Sequence, residues 1–350
     1  IAVHSESHPG AFCSLVELPR SLKSPVPMIH PIEVSFDNRV AALQEGQQAT
    51  AILNVVWRAL DGTMGQVDLP IEVVARSAFE IIYSENADWS SEIVYAADRV
   101  TITDGAEVTL DQDQTVSRLT LVEGILDITQ SDILTVNDQL TINQLGIVNL
   151  SDGVLNTDDA NIELDGLIRI DGGSFTANME GRARTISGDG LIEISQGDMS
   201  FLNGVPSNVL QINTNMRITG GTVSLSGQIY VGFTRTTQFE IIGNEATVSM
   251  VRLNMGGQIN KGTLIFRLNE DGVSKINVPG WMNLGSAKLI VDGSAYIGGP
   301  TSIVLVDSTN LVSPISASNI TVTGFSSQGL TARIEQDVTN GKDWVRLIIE

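Results

Sequence analysis

Gly124-Ile-Leu-Asp-Ile128, Gly146-Ile-Val-Asn-Leu150, Gly166-Leu-Ile-Arg-Ile170 and Gly190-Leu-Ile-Glu-Ile194 repeat one pattern: glycine, apolar, apolar, polar, apolar. The copies begin 22, 20 and 24 residues apart. In the last three, a second glycine follows seven residues on, at Gly153, Gly173 and Gly197, and Gly221-Thr-Val-Ser-Leu-Ser-Gly227 is a looser fifth copy. A period near 22 residues is about one turn of a parallel β-helix, in which short strands joined by bends form a rung and the next rung stacks about 4.8 Å above it.

Alternation within each copy decides which side chains face in. Leu126 and Ile128, Val148 and Leu150, Ile168 and Ile170, and Ile192 and Ile194 are expected to form two apolar columns that no single rung could bury alone. The outward column reads Asp127, Asn149, Arg169, Glu193, which sets Arg169 beside Glu193 on the adjacent rung.

Outward from this core the chain divides into four expected parts. Residues 1–31 hold five of the ten prolines (Pro9, Pro19, Pro25, Pro27, Pro31) and read as an extended arm or linker. Residues 32–85 carry strand-like runs at Glu33–Phe36, Thr50–Trp57 and Val67–Val74, broken by Glu45-Gly46 and Asp61-Gly62, and read as a small β-sandwich-like module. Residues 86–285 are the solenoid. Residues 286–350 keep strand character at irregular spacing and are expected to cap it, because an open last rung would offer its edge to other chains. The predicted fold class is all-β: a right-handed parallel β-helix with an N-terminal β-module and a C-terminal β cap.

Composition narrows the functional classes. Lys plus Arg number 20 against 41 Asp plus Glu, a formal charge of −21 that would repel nucleic acid and anionic membranes. No apolar run of about 18 residues is present to span a bilayer. The single cysteine, Cys13, cannot form an internal disulfide. The chain starts at Ile1 without methionine or a signal-peptide pattern, as expected of a processed product or a fragment.

Two stretches carry a family resemblance. Asp88-Trp89-Ser90, Asp98-Arg-Val-Thr-Ile-Thr-Asp-Gly-Ala-Glu-Val-Thr-Leu-Asp111 and Leu119-Thr-Leu-Val-Glu-Gly-Ile-Leu-Asp127 resemble the opening of G8-like and autotransporter-passenger-like β-solenoids. Gly262–Phe266, Leu289–Tyr296, Ile303–Asp307 and Ile320–Phe325 look like the C-terminal part of large secreted proteins of that type. The resemblance covers about residues 86–350. It implies export to the cell surface or outside the cell and transfers no catalytic residue.

Candidate chemistry is sparse. A polysaccharide lyase or hydrolase on the outer face would need acid and base side chains to converge, and the candidates are Asp158, Asp159, Asp165, Asp171, Arg182, Arg184 and Asp189. Asp165-Gly166, Asp171-Gly172 and Asp189-Gly190 are equally what tight turns require. His4, His8 and His30 all lie in the arm, so no histidine-based catalyst or zinc centre is expected on the solenoid. Calcium is the one metal that the turn carboxylates suggest, at Asp111-Gln-Asp113 and Asn156-Thr-Asp158-Asp159, although no calcium-binding glycine-rich nonapeptide is present. Trp57, Trp89, Trp281 and Trp344 read as core or cap residues before they read as sugar platforms. Thr101-Ile-Thr103 and Thr321-Val-Thr323 are ordinary β-propensity. No catalytic or cofactor-binding residue is therefore expected. The reading is a non-enzymatic extracellular structural or adhesive subunit of a surface filament, layer or matrix, assembling through solenoid and arm contacts in which the N-terminal arm or an uncapped edge strand adds to a neighbour's sheet. Its partners are copies of itself or other surface proteins, with polysaccharide processing and carbohydrate binding as alternatives.

Overall fold

The computed structural model describes residues 78–178, 184–202, 209–255, 262–337 and 343–350, together with the strands Ala2–His4, Ala11–Ser14, Gln48–Arg58 and Met64–Ala75. The chain forms two compact units, Ile1–Phe79 and Glu80–Glu350.

The described strands of the first unit make one antiparallel sheet in the order Ala2–His4, Ala11–Ser14, Met64–Ala75, Gln48–Arg58. The expected strands at Thr50–Trp57 and Val67–Val74 are present and pair with each other, with Trp57 opposite Gly65 and Gln48 opposite Val74. Among the described residues Ala11–Ser14 covers only Glu72 to Ala75 and no strand covers the far side of Pro70, the edge setting in which a strand tolerates proline. Ala2–His4 and Ala11–Ser14 fall in the stretch expected to be an arm and are instead built into this sheet. The expected strand at Glu33–Phe36 and the second layer of a sandwich lie outside the described residues.

The second unit is a β-solenoid of stacked parallel coils with three faces. The first face begins with Glu80–Tyr83 on Arg99–Ile102 and climbs through 118–121, 139–142, Asn161–Leu164, 184–187, 210–212, 228–231, 252–254 and 281–283 to 310–313. The second runs from Ala87–Asp88 through Glu107–Leu110, Ile125–Ile128, Ile147–Leu150, 167–170, 191–194, 215–218, Gln238–Ile242, Thr263–Arg267 and Lys288–Asp292 to Ile320–Thr323. The third runs from 114–116 through 134–136, Val154–Asp158, 174–178, 198–202, 222–225, 247–250 and 276–278 to 306–308. Parallel pairing thus starts at Glu80 rather than 86, and it continues past 285 to Thr323.

Both expected apolar columns are present. Leu126, Val148, Ile168 and Ile192 lie in register, as do Ile128, Leu150, Ile170 and Ile194, and all are 0% exposed. Met216, Phe239, Leu264 and Leu289 continue the first column, and Ile218, Ile241, Phe266 and Val291 the second. At about 25 cal/mol per Å² of apolar surface, stacking these columns is the main stabilising term.

The repeated glycines mark bends where backbones touch. A Cβ on Gly190 would sit 2.3 Å from the carbonyl oxygen of Gly166, and one on Gly166 2.2 Å from that of Gly146. Gly166 and Gly190 are therefore each seated on the carbonyl of the glycine below, while Gly146 is closed in by Leu121 and Gly124 by Ile102, and none of the four has room for a side chain.

The two ends close differently. At the N-terminal end Trp89 is fully buried against Tyr83, ring centroids 5.7 Å apart, and the Tyr83 hydroxyl donates to the Trp89 carbonyl at 2.8 Å. Burial pushes the Tyr83 phenol up to about 12, with the nearby Glu92 and Asp111 charges adding to the effect. At the C-terminal end Asp343–Ile349 runs antiparallel to 301–308 on one side and to Ala332–Asp337 on the other, burying Val345, Leu347 and Ile349. Among the described residues the only helical segments are 3₁₀ turns, at Trp89–Ser91, Ala317–Asn319 and Ser326–Gln328, and no helix is long and apolar enough to cross a membrane.

Candidate functional site

Because side chains alternate along a strand, the residue between the two buried columns of the second face must point outward. Successive rungs place Asp127, Asn149, Arg169, Glu193, Arg217 and Glu240 in that column. Their side chains form a continuous ladder. Asn149 donates to Asp127 at 2.8 Å and Arg169 donates to Asn149 at 3.4 Å. Arg169 and Arg217 each approach Glu193 at 3.5 Å. Arg217 reaches Glu240 at 2.9 Å, Arg267 reaches it at 2.5 Å from the next rung, and Arg267 also pairs with Asp292 at 2.8 Å. The expected neighbourhood of Arg169 and Glu193 is the middle of this longer chain of contacts.

Glu240 is the electrostatic centre. Its side chain is 8% exposed. Burial alone would raise its pKa, but hydrogen bonds from Arg217 and Arg267 and their positive charge outweigh that, so the carboxyl sits below its ordinary range. The same bonds raise the pKa of both guanidinium groups. Asp292 is likewise lowered: its desolvation is outweighed by bonds from Ser294 and the pair with Arg267.

A groove of about 330 Å³ runs beside the ladder, lined by Asp165, Asp189, Asn215, Arg217, Gln238 and Glu240 among others. Asp165 accepts the backbone N–H of Asp189 at 2.8 Å, Asn215 that of Gln238 at 3.0 Å, and Asp189 pairs with Arg235 at 3.0 Å. Its polar groups thus hold one rung to another.

The other lyase candidates lie at different corners. Asp165 and Asp189 sit between the first and second faces. Asp171, which accepts from the Ser195 hydroxyl at 2.8 Å, sits between the second and third. Asp158 and Asp159 sit between the third and first, with Asn178 donating to Asp158 at 3.1 Å. Arg182 lies outside the described residues, and Arg184 is placed by its backbone alone, at the start of its strand. The described candidates do not converge on one face.

The turn carboxylates proposed for calcium are engaged in the same way. Asp113 accepts the N–H of Ile133 at 2.9 Å, and Asp111 accepts that of Ser90 at 2.9 Å and its hydroxyl. Asp111 is held below its ordinary pKa chiefly by the hydroxyl bond. Among the described residues no three His, Cys, Asp or Glu side chains cluster as a metal site. The described tryptophans do not form a row: Trp89 is buried, Trp281 lies on the first face opposite Asn310, and Trp344 lies opposite Asp307 in the cap with the Arg346 guanidinium 3.9 Å from its ring.

Two outward columns were not legible beforehand. One is the upper ladder from Arg217 to Asp292, whose only signal is a charged residue between two apolar ones, as in Met216-Arg217-Ile218 and Phe239-Glu240-Ile241. The other is on the third face, where Thr115, Thr135, Asn156, Thr176, Ser200, Ser224, Ser249 and Asn277 follow one another in register. Compared with family models, curated proteins and solved structures, the chain matches none.

Proposed function

We propose that this chain is a secreted or surface structural protein, a subunit that joins other copies of itself, or other surface proteins, through strand edges. The observation that carries this reading is the ladder from Asp127 to Asp292: the charged side chains best placed to do chemistry on the outer face are bonded to their neighbours one rung away. A general acid or base needs a free proton-transferring atom facing substrate space, with a pKa near the working pH. Glu240 is instead clamped between two guanidinium groups and held ionised. The strongly acidic composition suits a protein that avoids nucleic acid.

The test is the native mass by light scattering, with negative-stain microscopy, in the presence and absence of a calcium chelator. Ordered polymers or discrete oligomers support the structural reading, and their loss on chelation would give calcium a part in assembly. A monodisperse monomer in both conditions overturns it. The groove beside Asp165 and Asp189 then becomes the place to look for polysaccharide binding and cleavage.

A further inference from the structure

The C-terminal sheet ends in a strand with one partner. Ala332–Asp337 pairs antiparallel with Asp343–Ile349, and among the described residues no strand pairs across its other edge. Thr331 and Glu350 exchange two backbone hydrogen bonds, each 2.9 Å. That fixes the alternation beyond them: Arg333 and Glu335 turn their N–H and C=O groups toward Ile348 and Arg346, while Ala332, Ile334 and Gln336 turn theirs to the open edge. Since Val345, Leu347 and Ile349 face the core, Ala332 and Ile334 lie on the inner side of the sheet, packed partly against it, and Arg333 and Glu335 lie on the outer side.

Resting on the assembly reading above, we propose that this edge pairs with the same edge of a second copy, antiparallel and centred on Ile334. Ala332 then exchanges backbone hydrogen bonds with Gln336 of the second copy, and Ile334 with its own counterpart. Arg333 falls opposite Glu335 of the second copy at the closely spaced, non-hydrogen-bonded position, about 4.5 Å between Cα atoms. The two-fold axis makes this contact twice. Charge selects the register: centring on Arg333 would set arginine against arginine, and centring on Glu335 would set glutamate against glutamate. Within one copy Arg333 already bonds Glu335 and reaches Glu350 at 3.1 Å, so its guanidinium is held on the outer side of the strand. The Ile334 side chains, half-buried in one copy, meet across the axis. The contact is isologous and closes at two copies, so a longer polymer needs a second surface.

The experiment is light scattering of the full chain against R333E, A332P and the swap R333E/E335R, with circular dichroism to confirm the β fold of each. R333E places two glutamates opposite each other at both positions and is expected to weaken self-association roughly tenfold or more. A332P removes an N–H that points at the open edge and leaves the ladder to Asp343–Ile349 intact, so it weakens association without touching charge. The swap restores opposite charges and is expected to recover the wild-type mass. Wild-type-like association of R333E or A332P, or failure of the swap to recover what R333E loses, overturns this edge while the assembly reading stands. A wild-type chain that is monomeric overturns both.

Discussion

Glu240 accepts hydrogen bonds from Arg217 at 2.9 Å and from Arg267 at 2.5 Å, so one carboxylate joins three successive rungs of the second face. Glu240→Gln leaves the shape and removes the charge that both guanidinium groups face. Bonds to charged groups contribute about 1.5–3 kcal/mol each when shielded, and both arginines are nearly half exposed, so the expected loss is about 1–2 kcal/mol in total. Thermal and urea unfolding measure it.

The same carboxyl sets an acid dependence. Its folded pKa is depressed from 4.5, so its contribution is fully present above the unfolded value and lost as pH falls through the folded one. Stability is expected to decline below about pH 4.5, and the Glu240→Gln variant to decline less steeply. Equal slopes in the two proteins would show that other carboxylates govern acid unfolding.

Tyr83 sets the alkaline limit. Its phenol is raised from 10.0 to about 12, so its contribution is complete below the unfolded value and disappears as pH rises through the folded one. Absorbance titration near 295 nm should show part of the signal from the four tyrosines appearing only near pH 12, and Tyr83→Phe should remove that part.

Gly190→Ala tests the bend column. The new Cβ would lie 2.3 Å from the Gly166 carbonyl oxygen, and backbone cannot rotate away as a side chain can, so a loss of about 1–3 kcal/mol is expected. Gly299→Ala, where a Cβ meets nothing within 4 Å, is the control and should be close to neutral in urea unfolding.

Leu150→Ala tests the buried columns. Leu150 is 0% exposed and stacks between Ile128 and Ile170, and truncating such a residue costs about 2–5 kcal/mol. Asn149→Ala, one residue earlier but facing out, should stay within about 1 kcal/mol. Comparable losses would mean that inward and outward positions had been exchanged.

The solenoid was legible between Gly124 and Gly197 because its glycines recur wherever backbone meets backbone. Beyond them the same position is taken by Thr214, Thr237, Gly262 and Ala287. Thr214 buries its side chain and donates its hydroxyl to the Gly190 carbonyl at 3.0 Å, solving the same contact with different chemistry, so the glycine phase disappears while the stacking continues. The early start at Glu80 was hidden for a related reason, since Glu80–Tyr83 has no flanking glycine and sits directly after the first unit. The candidate site was less legible. Arg169 and Glu193 could be paired from equal positions in adjacent repeats, but Arg267 bonds Glu240 from a neighbouring column, opposite Ile242. That diagonal reach depends on side-chain length and follows no sequence interval.

The alternation of sign along the second face also bears on how the chain finds its order. If the rung at 191–194 were looped out, Arg217 would land on Arg169; if the rung at 215–218 were omitted, Glu240 would land on Glu193. The buried columns accept either mistake, because one aliphatic rung fits another almost as well as the next. The outer charges do not, since like signs directly opposed are unfavourable. Over these two rungs the ladder therefore acts as a parity check on folding, rejecting an omission that the greasy interior would let pass.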